Sequence, residues 1–103
     1  MKLILAIIND DDASGVMDEL NAHDYRVTRM CSTGGFLKSG NTTLLVGVDE
    51  EHVQTVLSII ESESKSRKKN VVSTPVAGLS YPIEITVGGA TVFVVDVEQF
   101  IKY

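Results

Sequence analysis

The sequence predicts an α+β fold in which an apolar sheet carries two amphipathic helices. Three runs of β-favouring residues, at 2–8, 42–48 and 90–97, are apolar on both of their alternating faces. Two further segments repeat apolar residues at helical spacing, and each follows a cluster of acidic residues. The 103 residues fit a single domain, 1–103, because domains cluster at about 100 to 150 residues.

The first half of the chain predicts the order strand, helix, strand, strand. After the first strand, the aspartates at 10–12 begin a helix. We expect them to stabilise its N-terminus while remaining solvated; metal ligation is the alternative, for which no further ligand group is evident. The second strand, 25–32, carries Arg26 and Thr28 side by side on one face as hydrogen-bond donors.

The connection between the second and third strands, at 33–43, reads TGGFLKSGNTT and is longer than a hairpin turn requires. Gly34 and Gly35 can adopt positive φ and turn successive N–H groups toward one point, which forms an anion-binding concavity beside Phe36 and Leu37. A simple hairpin loop with a hydrophobic tip is the other interpretation, and composition alone favours it.

The second half predicts a helix, a loop and a hairpin. Acidic residues at 49–51 begin the helix. Residues 62–80 are predicted to be a mobile loop, because they combine four of the nine Lys and Arg residues with Ser, Thr, Pro and Gly. Those cations either complete the helix or contact a phosphate or a protein partner. Residues 81–97 predict a β-hairpin, since two alternating runs flank Gly88-Gly89.

This order of elements, with an extra hairpin before the last core strand, is typical of a ferredoxin-like βαββαβ sandwich. Helices cover only one face of such a sheet, so the apolar opposite face needs a cover that the chain does not encode. Self-association into a closed ring is the simplest cover. It would also create clefts between subunits, where pockets are preferentially found.

Composition and charge narrow the function classes. The formal charge of −5 opposes broad binding to nucleic acid or anionic membranes. No apolar run approaches the ~20 residues of a membrane helix, so we expect a cytoplasmic protein. The one cysteine, Cys31, cannot form an internal disulfide. Since no nucleophile, general base or metal cluster is evident, the sequence favours a binding module without a cofactor over an enzyme.

Three long strings carry a family resemblance: RVTRMCSTGGFLKSGNTT at 26–43, LLVGVDEEHV at 44–53 and YPIEITVGGATVFVVDV at 81–97. They closely resemble the PII-like cyclic di-AMP receptor family of Gram-positive bacteria, and the similarity spans nearly the whole chain. The resemblance implies a PII-like homotrimer of ferredoxin-like subunits that binds cyclic di-AMP between subunits. It also implies signal transduction through loops reorganised by the ligand, toward an unidentified protein target.

The resemblance further implies a set of ligand-binding residues. They are Arg26, Thr28, Gly35, Phe36, Leu37, Asn41, Gly47 and Phe93. Their chemistry suits the ligand: Arg26 can neutralise a phosphodiester, Phe36 can stack an adenine, and Asn41 can pair with an adenine edge.

Two positions depart from the family pattern. Asp24 stands where asparagine is expected, and Lys102 stands where a C-terminal glutamine is expected. These departures leave an alternative hypothesis, a divergent PII-like adaptor with weak or altered nucleotide binding. Such an adaptor would act on a protein partner through the basic segment of 62–80.

Overall fold

A computed structural model of the chain describes residues 1–30, 40–72 and 82–103. Its elements are β1 (Lys2–Asn9), α1 (Asp10–Ala22), β2 (Thr28–Met30), β3 (Asn41–Val48), α2 (Val53–Ser64), β4 (Arg67–Val72), β5 (Pro82–Val87) and β6 (Ala90–Asp96). One 3₁₀ turn, Glu50–His52, leads into α2.

Four of the strands form one antiparallel sheet in the order β2-β3-β1-β6. Its register is set through the central strand, where Leu5 pairs with Leu45 on one side and with Phe93 on the other. This strand order with two helices confirms the predicted ferredoxin-like βαββαβ fold. Strands β4 and β5 form a separate two-stranded sheet.

The hydrophobic core lies between the helices and one face of the sheet. Alternate residues of β1 and β3 meet the apolar stripes of α1 and α2 there, as their spacing predicts. The side chains that are fully enclosed include Ile4, Ile8, Val16, Leu20, Leu44, Val46 and Val56.

Among the described residues, no helix packs on the opposite face of the sheet, which remains apolar as predicted; we call it the free face. Leu3, Leu5 and Ile7 of β1 are half-buried there. Met30 and Phe93 on the flanking strands are 43% and 46% exposed. The three core strands are therefore apolar on both faces in the structure, although only one face is packed against helices.

The predicted hairpin at 81–97 is wrong in its pairing. β5 pairs with β4, from Arg67 opposite Val87 to Val72 opposite Pro82, whereas β6 pairs with β1 in the other sheet. The Gly-Gly step has positive φ at both residues and carries the chain from one sheet to the next. An extra hairpin does precede the last core strand, but β4 and β5 form it.

The prediction of a mobile loop at 62–80 is wrong for most of the first half of that range. Residues 62–64 end α2, and Arg67–Val72 form β4. One of the basic residues that suggested a loop faces an acidic partner, since Lys68 Nζ lies 3.2 Å from Glu84 Oε1 across the hairpin. Residues 73–80 lie outside the described part of the chain.

An ion pair between exposed Arg67 and buried Asp12 joins this hairpin to the sandwich. Asn9 caps α1 by accepting a hydrogen bond from Asp11 N at 2.9 Å. The aspartates were expected to be solvated, and this expectation is wrong for Asp12, which is only 8% exposed. Arg67 donates to both of its carboxylate oxygens, from Nη2 at 3.0 Å and from Nη1 at 3.4 Å. The Asp12 hydrogen bond raises the pKa of Arg67 above its ordinary value. Gly88 lies directly against this pair.

Candidate functional site

A cavity of about 470 Å³ opens at one end of the free face, where β2 and β3 meet both ends of the chain. Its size falls within the range of small-molecule pockets. The residues lining it are Met1, Leu3, Arg26, Thr28, Leu45, Gly47, Val97 and Phe100.

Strand alternation positions the polar groups of this cavity. Tyr25 and Val27 pack against the core, so the intervening residues Arg26 and Thr28 project from the other side of the extended chain. Thr28 pairs with Leu45, which fixes β2 beside β3 at this point. Three of the residues predicted to bind ligand, Arg26, Thr28 and Gly47, are thus brought together by β3, β2 and the extended residues that lead into β2.

Gly47 keeps the floor of the cavity open. It pairs with Leu3 in the centre of the sheet, yet a Cβ at this position would meet no atom within 4 Å. A side chain here would project into the cavity without a clash inside the protein. The glycine therefore leaves open space beside the strand, and its ligand role stays a prediction.

The cavity combines a cationic donor with apolar walls. Among the described residues, the guanidinium of Arg26 and the hydroxyl of Thr28 are its polar side-chain groups, and Leu3, Leu45 and Val97 are among its apolar ones. An arginine fork matches the oxygens of a phosphate, while the apolar walls suit a flat ring. The site can accommodate an anion that carries an aromatic base.

The C-terminal tail completes the cavity, and the sequence pattern did not predict this part. Val97 N donates to Met1 O at 3.1 Å, which holds the tail beside the start of β1. Phe100 then reaches the cavity lining. The apolar residues on both faces of the strands at 2–8 and 42–48 already indicated that Leu3 and Leu45 lie on this face. No residue pattern in the tail indicates that Phe100 joins them.

Asn41 lies at the other end of β3. It pairs with Asn9, six residues from Gly47, which is about 20 Å along an extended strand. Alternation puts Asn41 and Gly47 on the same face, with Thr43 between them. Thr43 is 5% exposed, and its hydroxyl has no hydrogen-bond partner among the described residues. A single chain therefore does not bring Asn41 and Arg26 to one point.

The remaining predicted site residues are distributed as follows. Phe93 lies on the free face in the same cross-strand row as Leu45, two strands away, or about 10 Å. Lys102 is exposed in the tail. Gly35, Phe36 and Leu37 lie outside the described residues.

The backbone at Asp24 suits aspartate as well as the asparagine that the family resemblance predicts there. Its φ is +65°, and asparagine and aspartate are the non-glycine residues that adopt this region most readily. Asp24 N donates to Asn21 O at 3.0 Å where the chain leaves α1. Aspartate thus satisfies the same backbone requirement as asparagine, and the exchange alters charge while keeping the turn.

A second, smaller cavity of about 260 Å³ lies between the end of α2 and β6, near Ser64 and Gly89. It contains none of the predicted site residues. Within the described ranges, no three His, Cys, Asp or Glu side chains gather in a way that could hold a metal ion. Neither helix there is long and apolar enough to cross a lipid bilayer.

Comparison with known proteins identifies a family over the full length. The model of the cyclic-di-AMP receptor family matches residues 1–103. Among solved structures, the chain is similar to the crystal structure of a functionally unknown protein from Pediococcus pentosaceus. The two are 44% identical with a TM-score of 0.81, over 99% of this chain and 96% of that one.

Proposed function

The chain belongs to the cyclic-di-AMP receptor family, and from this premise we propose that it is a single-domain, non-enzymatic signal-transduction protein of the cytoplasm. It binds cyclic di-AMP between the subunits of a homotrimer and relays binding to a protein target by loop rearrangement. The observation that carries the proposal is the cavity shared by Arg26, Thr28 and Gly47.

The roles of these residues follow from the chemistry of the ligand, which joins two adenines through two phosphodiesters. Arg26 binds a phosphate through charge-assisted hydrogen bonds, and Thr28 donates to the phosphate or a base edge. Gly47 admits the adenine ring close to the strand. Asn41 pairs with an adenine edge, and Phe36 stacks on the base. The remaining proposed contacts are Gly35, Leu37 and Phe93, with Asp24 and Lys102 at the margin.

Two features support a site shared between subunits. Asn41 and Gly47 are about 20 Å apart on one strand, so neighbouring copies are needed to bring both kinds of contact to one ligand. The free face is also a broad apolar surface, which a second and third copy would cover. Sedimentation of the purified protein tests this, because a monomer that binds cyclic di-AMP would contradict the shared site.

Calorimetric titration of the purified chain with cyclic di-AMP tests the function, with cyclic di-GMP as the comparison ligand. Arg26→Ala should weaken binding by about 1.5 to 3 kcal/mol, the usual contribution of hydrogen bonds to a charged group. Arg29→Ala is the matched control, since Arg29 is paired on the core side with Thr42 at 3.4 Å. No binding by the unsubstituted protein at high micromolar ligand would refute the proposal.

The adaptor alternative has less support from the charges of the basic segment. Arg67 is engaged by Asp12 and Lys68 by Glu84. Two of the four cations in 62–80 are therefore already neutralised within the chain. A partner that recognises this segment would have to compete with those ion pairs.

A further inference from the structure

The tail after β6 presents an aromatic ring at the cavity without burying it. Phe100 is 69% exposed although it lines the same cavity as Arg26 and Thr28. Exposing a phenyl ring forgoes the stabilisation that burial provides. The tail is nevertheless held in place by the Val97 to Met1 hydrogen bond. The ring is therefore positioned at the cavity with most of its surface open.

We propose that Phe100 is a further ligand-binding residue, which stacks on an adenine of the nucleotide while Arg26 holds a phosphate. This inference rests on the proposed function, because it names another contact in the same cavity. Among the described residues of the lining, Phe100 is the aromatic one, and the other side chains are aliphatic or polar. A flat base needs such a face, since aliphatic walls supply contact area without π stacking.

The position of Phe100 also assigns a role to the tail. The ring lies on the segment that leaves β6, whereas Arg26 and Thr28 lie beside β3. Ligand bound at Arg26 and stacked on Phe100 would link the tail to the sheet. Binding should then restrain the tail more strongly than the backbone hydrogen bond of Val97 does alone.

Two substitutions of Phe100 and one control separate stacking on the base from simple packing. Phe100→Ala should weaken cyclic di-AMP binding roughly 5- to 150-fold, the range found when a stacked aromatic is truncated. Phe100→Leu should lose most of the same affinity, because it retains apolar volume without a π face. Tyr103→Ala is the matched control in the same tail, since Tyr103 is fully exposed and does not line the cavity.

Phe100→Trp provides a direct optical readout, because the chain contains no tryptophan. It should bind cyclic di-AMP at least as tightly as the unsubstituted protein, and its fluorescence should be quenched in proportion to occupancy. If the unsubstituted protein binds no ligand, the proposed function itself fails. If it binds while Phe100→Ala keeps full affinity, or if bound Phe100→Trp is not quenched, only the stacking role is overturned. If the Phe100→Ala assembly has a lower mass while its affinity per assembled site is unchanged, the ring contacts a second copy of the chain. That outcome would also overturn the stacking role.

Discussion

Replacing Gly88 with alanine tests whether the Asp12–Arg67 pair fixes the β4–β5 hairpin to the sandwich. Gly88 has φ of +77°, and a Cβ there would lie 2.6 Å from Arg67 Nη1 and 2.8 Å from Asp12 Oδ2. Both distances are far below ordinary van der Waals contact. The added methyl group therefore requires the ion pair to move.

The expected destabilisation has two parts. An alanine in the left-handed region costs about 1 to 2 kcal/mol in backbone strain. Overfilling a packed site adds about 1 to 3 kcal/mol. We therefore expect Gly88→Ala to lower the free energy of unfolding by about 2 to 5 kcal/mol.

Gly89→Ala is the internal control for this prediction. Gly89 also has positive φ, at +93°, but a Cβ there would meet Ser66 no closer than 3.6 Å. It should therefore show the backbone strain alone. Urea denaturation gives both free energies, and hydrogen exchange in β4 and β5 should rise in Gly88→Ala only. Equal destabilisation by the two substitutions would refute the reasoning. It would also be refuted if Gly88→Ala still lowered the free energy of unfolding more than Gly89→Ala, by the same margin, in a protein that carries Asp12→Ala and Arg67→Ala.

Three further predictions concern stability. Thr43→Val should raise the free energy of unfolding by about 1 to 3 kcal/mol by removing a buried hydroxyl that has no hydrogen-bond partner among the described residues, whereas exposed Thr91→Val should change it little; a loss at Thr43 in urea denaturation would reveal a partner. Leu20→Ala should cost about 2 to 5 kcal/mol by the same assay, because Leu20 is fully buried in the core. The hydrogen bond from Lys2 lowers the pKa of Asp96 below its ordinary value of 3.8. The stabilisation of the fold by this pair is therefore present above the ordinary pKa and is lost as the pH falls through the lowered pKa. In an acid titration of stability, Asp96→Asn should lack this loss.

The local patterns predicted most of the sandwich because each of its elements has its own periodicity. The helical spacing of Val53, Val56, Leu57 and Ile60 puts them on one stripe of α2; Val53, Val56 and Ile60 are buried, and Leu57 is partly buried against the core. The two apolar faces of β1 were likewise evident from alternation, since a period of two assigns every side chain to a face. The pairing of β5 was not predictable in this way. Gly88-Gly89 matches a hairpin turn locally, and only the competing partners β4 and β1 decide against it.

The candidate site was predictable in part. Arg26 and Thr28 share a face by strand alternation, and their meeting with Gly47 follows once β2 pairs with β3. Asp12 was expected to be solvated because short acidic residues at a helix start usually are. Its burial depends on Arg67, which is distant in the chain and reaches it only through the hairpin.

The sequence by itself determined the strand and helix periodicities, the two apolar faces of the sheet and the strings that resemble the cyclic di-AMP receptors. These features depend on residue type and on spacing within a segment. Only the tertiary structure decided that Phe100 joins the cavity and that Arg67 pairs with Asp12. Each of these contacts joins residues from different elements, and a local pattern carries no information about which distant segment will lie beside it.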